Sequence, residues 1–303
     1  MSNPFIPPAP PMFPGQFPGQ VQAPPAAPQL TPQSPNFEVK QRILIFDFSN
    51  LAYQSLFAVT RTPEVLEKEF DGHYPIFISK VQALLAKLSD GNCEIVFALD
   101  SFPQAKKDIY PEYKEGRKRF DFDPKKGLLA ALSNTLEFKI AKVKGYEADD
   151  VIGTLVAKNP DKNCVVISSD KDLWTLMRYN NCNVYSIHKN EYITHEMFVE
   201  EFSIVDYEQL PLVKALWGDA SDNVKNKLPR AQKHMIPLIG QTNGSMTQLI
   251  AKVEDNKATL PPKVVATWEA NLDEIIDNYS VVDLSCSLEF ECHQYVKGLE
   301  YQI

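Results

Sequence analysis

Short runs rich in Ile, Val, Leu and Phe recur along the chain, separated by stretches with helical spacing. The runs cover residues 42–46, 94–99, 138–143, 164–167 and 183–187. Near-continuous apolar runs of this length suit strands covered on both faces. Between them, residues 49–59 and 75–88 have helical periodicity; in the second, Ile76, Val81, Leu84, Leu85 and Leu88 line one side. Strands that alternate with helices need crossover connections, which build a mostly parallel sheet flanked by helices, an α/β fold. From residue 194 onward the pattern predicts helices and turns, with one short strand near Val281.

Composition divides the 303 residues further. Residues 1–37 hold 12 of the 23 prolines and no Asp, Glu, Lys or Arg, and the first charge is Glu38. Such a segment lacks the apolar face that would offset its ordering entropy, so a disordered Pro-rich tail is expected there. The expected organisation is then an α/β core over 38–193, with a basic segment at 102–127, and a helical region over 194–303. No apolar run approaches the roughly 18 residues of a membrane span, and the N-terminus lacks the pattern of a secretory leader, so no membrane association is expected. Five cysteines, an odd number with no CxxC pair, point to reduced thiols and a cytoplasmic setting.

The acids fall at the ends of the strand-like runs. The first run ends in Asp47, the second in Asp100, and the fourth leads into Asp170 and Asp172. After the third, Glu147, Asp149 and Asp150 open a helical stretch. Ligand sites of open parallel sheets lie beyond the carboxyl ends of the strands, so these carboxylates aim at one place. Crowded carboxylates repel each other, and hard divalent cations with oxygen ligands, Mg²⁺ or Mn²⁺, relieve that cost. No His or Cys joins these motifs, which argues against zinc. Each Asp alone could cap a helix or sit in a turn; four separate motifs make that a poor joint explanation. Asp219 and Asp222 form a further pair downstream, for which a helix end followed by an Asx turn is the structural alternative.

Taken in order, IFDFSN, FALDS, YPEYKEGRK, GYEADDVIGTL, ISSDKDLWTL and ALWGDASDN resemble the 5′-nuclease superfamily of flap endonucleases and 5′→3′ exonucleases. The resemblance is strongest to the bacteriophage RNase H-like branch, spans about residues 42–223, and extends weakly to NYSVVDLS at 278–285. It implies a PIN-like sheet, a helical C-terminal DNA-binding region, and Mg²⁺- or Mn²⁺-dependent cleavage of phosphodiester bonds in DNA flaps and RNA–DNA hybrids during primer removal. It assigns two or more ions, with two about 4 Å apart, to Asp47, Asp100, Glu147, Asp149, Asp150, Asp170, Asp172, Asp219 and Asp222. The set is complete, as an active enzyme requires. The resemblance also implies DNA with a 5′ flap or 5′ end as partner, alongside a single-stranded-DNA-binding protein and fork proteins. It further implies a monomer in the cytoplasm of a phage-infected bacterium.

A net charge of −8, from 39 acids and 31 bases, argues by itself against a nucleic-acid partner. Setting aside the nine assigned acids leaves 30 acids against 31 bases, and the bases cluster. Lys106, Lys107, Lys114, Arg117, Lys118, Arg119, Lys125 and Lys126 interleave with Tyr110, Tyr113 and Phe120. Bases with aromatics suit a single strand, by phosphate neutralisation and stacking; a solvated loop of mixed charge is the alternative. The resemblance makes this segment an arch over the site, with Lys114 and Arg117 approaching the scissile phosphate and Lys106, Lys107, Tyr110, Tyr113 and Lys118 contacting nucleic acid. Two positions depart from the family pattern. Gln54 stands where the family often has Arg, and the stretch after Asn223 lacks the glycines of a phosphate-gripping hairpin. Without them close backbone approach is harder, which argues against a K⁺ site. Lys225, Lys227, Arg230 and Lys233 are the side-chain substitutes. Two other readings remain at this point: a PIN-like ribonuclease acting on structured RNA, and a fork protein that holds flaps without cutting.

Overall fold

The structure is a computed structural model that describes residues 41–59, 73–117, 123, 125–284 and 287–297. The expected tail at 1–37 and Lys118 lie outside the described residues. The chain divides into two units, and the described residues all belong to Lys40–Ile303. In chain order they form β1 (Arg42–Asp47), α1 (Phe48–Val59), α2 (His73–Leu88), β2 (Cys93–Ala98), α3 (Gln104–Ile109), α4 (Leu128–Leu132), β3 (Lys139–Ala141), α5 (Ala148–Lys158) and β4 (Asn163–Ile167). A 3₁₀ turn at Asp172–Arg178 precedes β5 (Cys182–Ser186), β6 (Glu191–Tyr192) and α6 (His195–Phe202). Then come α7 (Leu210–Trp217), α8 (Gln232–Ile239), α9 (Met246–Asn256), α10 (Pro262–Val282) and β7 (His293–Gln294).

The seven strands lie in the order β6-β5-β4-β1-β2-β3-β7. The five inner strands run parallel, and the two-residue edge strands β6 and β7 run antiparallel. Continuous apolar runs follow from helices on both faces. Ile43 and Ile45 of β1 pack with Val151, Ile152 and Leu155 of α5, whereas Leu44 and Phe46 pack with Leu51 of α1 and Phe77 and Val81 of α2. Each buried Leu, Ile or Phe contributes about 1.5–3 kcal/mol relative to exposure, so a polar substitution in β1 would cost the sheet on either face.

Beyond the sheet, α7, α8, α9 and α10 share a separate core around Leu216, Met235, Leu249, Trp268 and Ile275. Thr194 and Ser245 cap α6 and α9 with side-chain oxygens. The strand expected near Val281 is absent: Val281 lies in α10, where Trp268, Ile275, Asn278 and Val281 recur at helical spacing and are the buried residues. The chain re-enters the sheet later, at β7, which pairs with β3 through Lys139↔Gln294 and Ile140↔His293.

Candidate active site

Parallel pairing sets β1, β2 and β4 in register, Asp47 beside Ala98 and Phe46 beside Ile167. Their carboxyl ends therefore meet along one edge. Asp47 closes β1 and is 5 % exposed. Its Oδ1 accepts from Asn50 N at 3.0 Å and its Oδ2 from Ser168 Oγ at 2.7 Å. Asp100 follows β2; its Oδ1 accepts from Ala148 N at 3.0 Å, and it pairs with Ser49. Asp170 and Asp172 follow β4. Glu147 caps α5, with Asp150 completing a capping box and Asp149 in the first turn.

The acids perturb one another. Burial, and then Asp100, raise the Asp47 carboxyl to about 7. Burial, then Asp170 and Asp47, push Asp149 well above the ordinary carboxylate range. Asp47 is thus within electrostatic reach of Asp100, Asp149 and Asp170, acids that arrive from β2, α5 and β4.

A second cluster lies alongside. Asp172, Asp219 and Asp222 bring carboxylate oxygens within 4.8 Å of one another. Gly218 makes this possible. With φ at +82° it turns the chain sharply, and Asp219 bridges back to Val224. A Cβ on Gly218 would stand 2.5 Å from the Val224 carbonyl oxygen. Asn278, in the weakly resembling NYSVVDLS stretch, donates from Nδ2 to the carbonyls of Ala215 and Lys225 at 3.0 and 3.1 Å, which pins this loop to α10.

The basic segment docks on the acids. Lys114 Nζ lies 2.6 Å from Glu147 Oε1 and 3.6 Å from Asp222 Oδ1. Lys114 itself has φ at +54°, a conformation rare for a non-glycine, and its N–H donates to the Asp222 carbonyl at 2.9 Å. Arg117 reaches Asp222 Oδ1 at 2.6 Å. Lys106 lies 3.1 Å from Glu147 and 3.2 Å from Asp150. Against the effect of burial, Lys106 and Lys114 hold Glu147 down to about 2.

Not every side chain expected to touch nucleic acid faces outward. Tyr113 is 1 % exposed and donates to Glu147 Oε2 at 2.7 Å and Asp222 Oδ2 at 2.9 Å. Lys106 is 7 % exposed. Both side chains brace the acids and present no surface for a stacked base. Lys107 is half-buried and donates to the Tyr113 carbonyl at 2.7 Å, and Tyr110 reaches the Asn223 carbonyl. Lys225 is exposed and paired with Glu112, Lys227 is paired with Glu274, and Arg230 and Lys233 are exposed.

One site residue escaped sequence reasoning. Lys214 of α7 sits between the acids, paired with Asp172 and 2.6 Å from Asp219 Oδ2. The lone charge in the apolar run LPLVKALW was its signal. Burial, opposed by Lys214, raises Asp172 to about 6. Gln54, at the family's Arg position, links Asn50 and Ser169 at 2.9 and 2.6 Å. Lys125 lies 3.9 Å from Asp100.

Five parallel strands flanked by helices, with two groups of carboxylates at their carboxyl edge, define an α/β domain with a site at its sheet edge. Solved structures of the bacteriophage T5 D15 protein share this fold. One, crystallised with metal ions, has a TM-score of 0.63 at 20 % identity, covering 81 % of this chain and 90 % of that one. Another, a flap endonuclease complex with DNA and metal ions, has a TM-score of 0.59 at 19 % identity, covering 81 % and 90 %. Residues 42–203 match the family described as 5′-3′ exonuclease, N-terminal resolvase-like domain. That is more than half of the chain, which belongs to this family. A thermostable DNA polymerase I of Thermus caldophilus is 30 % identical over 248 residues, 80 % of this chain and 28 % of the polymerase. A 5′-3′ exonuclease of Buchnera aphidicola subsp. Schizaphis graminum is 30 % identical over 193 residues, 61 % of this chain and 65 % of that protein. The chain thus spans less than a third of the polymerase it resembles.

Proposed function

We propose that the protein hydrolyses phosphodiester bonds at 5′ ends and 5′ flaps of DNA and in RNA–DNA hybrids, in the manner of a replication nuclease that removes primers. The observation that carries this reading is the meeting of Asp47, Asp100, Asp149 and Asp170 on one sheet edge, with Lys114 and Arg117 tethered beside them. The donor set fits divalent cations: every side chain offers oxygen, and Asp47 and Asp149 resist ionising without a counter-charge.

The nine acids would hold Mg²⁺ or Mn²⁺, which when bound lowers the pKa of water and steadies charge on the phosphodiester. Asn50 and Ser168 orient Asp47 through the hydrogen bonds described above. Tyr113 fixes Glu147 against Asp222. Lys114 and Arg117 supply positive charge where a phosphate would gain negative charge in the transition state. Exposed Lys225, Arg230 and Lys233 suit duplex phosphates further away.

The test uses labelled 5′-flap DNA, RNA–DNA hybrid and hairpin RNA, with Mg²⁺ or EDTA. Flap and hybrid are cut only with Mg²⁺ on this reading. Binding of the flap without cutting would make the protein a fork scaffold, and preference for the hairpin would make it a structured-RNA ribonuclease.

A further inference from the structure

The acids are flanked by bases on two sides. On the Glu147–Asp222 side stand Lys114 and Arg117. On the Asp100 side stands Lys125, whose Nζ donates to Ser49 Oγ at 3.3 Å and lies 3.9 Å from Asp100 Oδ2. Lys142 joins it. The register Ala98↔Ala141 and the bond from Leu99 N to the Ala141 carbonyl at 2.9 Å place Lys142 at the carboxyl edge beside Asp100. It is half-buried. Burial and then Lys125 hold its ammonium below the ordinary lysine range, with Asp100 and Asp123 opposing. Both lysines thus border the Asp100 side of the carboxylates, where a phosphate would meet two charged donors.

The corner is anchored. Tyr74 OH donates to the Lys126 carbonyl at 2.6 Å, and Lys125 N donates to Asp123 Oδ1 at 3.0 Å. Gly127, with φ at +81°, lets Tyr74 approach; a Cβ there would stand 2.4 Å from the Tyr74 hydroxyl.

We infer that Lys125 and Lys142 form a second phosphate site, which holds a neighbouring phosphate of the strand being cut, on the Asp100 side of the carboxylates. A strand that crosses the acids leaves the Lys114–Arg117 group on one side and meets this corner on the other. The inference rests on the nuclease reading and assigns the path of the strand within it.

The experiment uses the full chain and 5′-flap DNA carrying one neutral methylphosphonate, moved in turn through the linkages around the cleavage position. Binding is measured in Ca²⁺ and single-turnover cleavage in Mg²⁺. Wild type should show one linkage, next to the scissile one, where neutralisation weakens binding about fourfold. Lys125→Gln/Lys142→Gln should become insensitive at that linkage alone. Its log-affinity against log-salt slope should fall by about 0.7 for each phosphate no longer neutralised. Lys142→Arg, with Lys125 intact, should keep the wild-type scan. If the double variant retains the wild-type scan and salt slope while melting normally, the site does not exist. If wild type cuts no flap or hybrid, the nuclease reading fails and the site falls with it.

Discussion

Gly218 sets the position of two acids at once, which makes Gly218→Ala a stringent perturbation. Its backbone, φ 82° and ψ 169°, lies where essentially only glycine is comfortable. The added Cβ would meet Val224 O at 2.5 Å, Asn226 N at 2.7 Å and Lys225 C at 2.8 Å, all backbone atoms that cannot swing away. Restoring ordinary contact at 3.4 Å requires a shift of about 0.9 Å in the 219–226 loop. Backbone strain alone costs about 1–3 kcal/mol; at about 2–4 °C per kcal/mol for a unit of this size, the melting temperature should drop by about 2–12 °C. The same shift carries Asp219 and Asp222 out of place, and misplacement by about 1 Å can cost about 10²-fold in rate. Gly240→Ala is the control, because Gly240 has a helical φ of −61° and its Cβ would meet nothing nearer than 3.5 Å. Thermal unfolding and single-turnover cleavage of flap DNA decide the matter. Wild-type melting and wild-type rate in Gly218→Ala would refute the claim that this turn positions the acids.

Asp47→Asn should remove cleavage yet stabilise the metal-free fold at alkaline pH. The folded protein keeps a proton on Asp47 up to about pH 7, whereas the unfolded chain releases it near 3.8. The charged carboxylate therefore destabilises the fold increasingly as pH rises between those values. In EDTA the variant should melt above wild type at pH 8, and the gap should close toward pH 4; melting below wild type at pH 8 would contradict this. Lys114→Ala should lower the single-turnover rate by about 10²-fold or more. Lys225→Ala/Lys227→Ala should instead raise the Michaelis constant and flatten the salt slope by about 0.9 for each duplex phosphate released; a normal rate at saturating enzyme in the first, or an unchanged slope in the second, would overturn these roles. Removing residues 1–37 should leave turnover on naked flap DNA unchanged, since the segment carries no charged side chain to hold phosphate; a fall beyond about tenfold, or 1.4 kcal/mol of barrier, would place it in the catalytic unit.

The α/β core and the strand-end acids were legible because both depend on local pattern. An apolar run in β1 or β4 can be buried only if helices cover both faces, and the residue after such a run must lie at the carboxyl edge. α10 misled for a related reason. Val281 and Val282 look β-prone locally, but spacing back to Asn278, Ile275 and Trp268 has the helical period. Strand β7 has two residues, too few to leave a periodic signature.

The order of residues along the chain was enough to place the strand-end acids at one edge, and the family resemblance set a basic, aromatic segment beside them. It could not tell which way that segment turns its side chains. Tyr113 and Lys106 carry the same composition signal as surface residues, yet fold inward onto Glu147, Asp150 and Asp222. The assembled fold alone chose Lys214 as the partner of Asp172 and Asp219, and set Lys125 and Lys142 beside Asp100. The cause lies in the range of the forces. Burial of apolar residues follows a short-range period that a single segment displays, whereas a long cationic side chain finds its partner among carboxylates that arrive from distant elements. That choice depends on distance and desolvation once those elements have packed together.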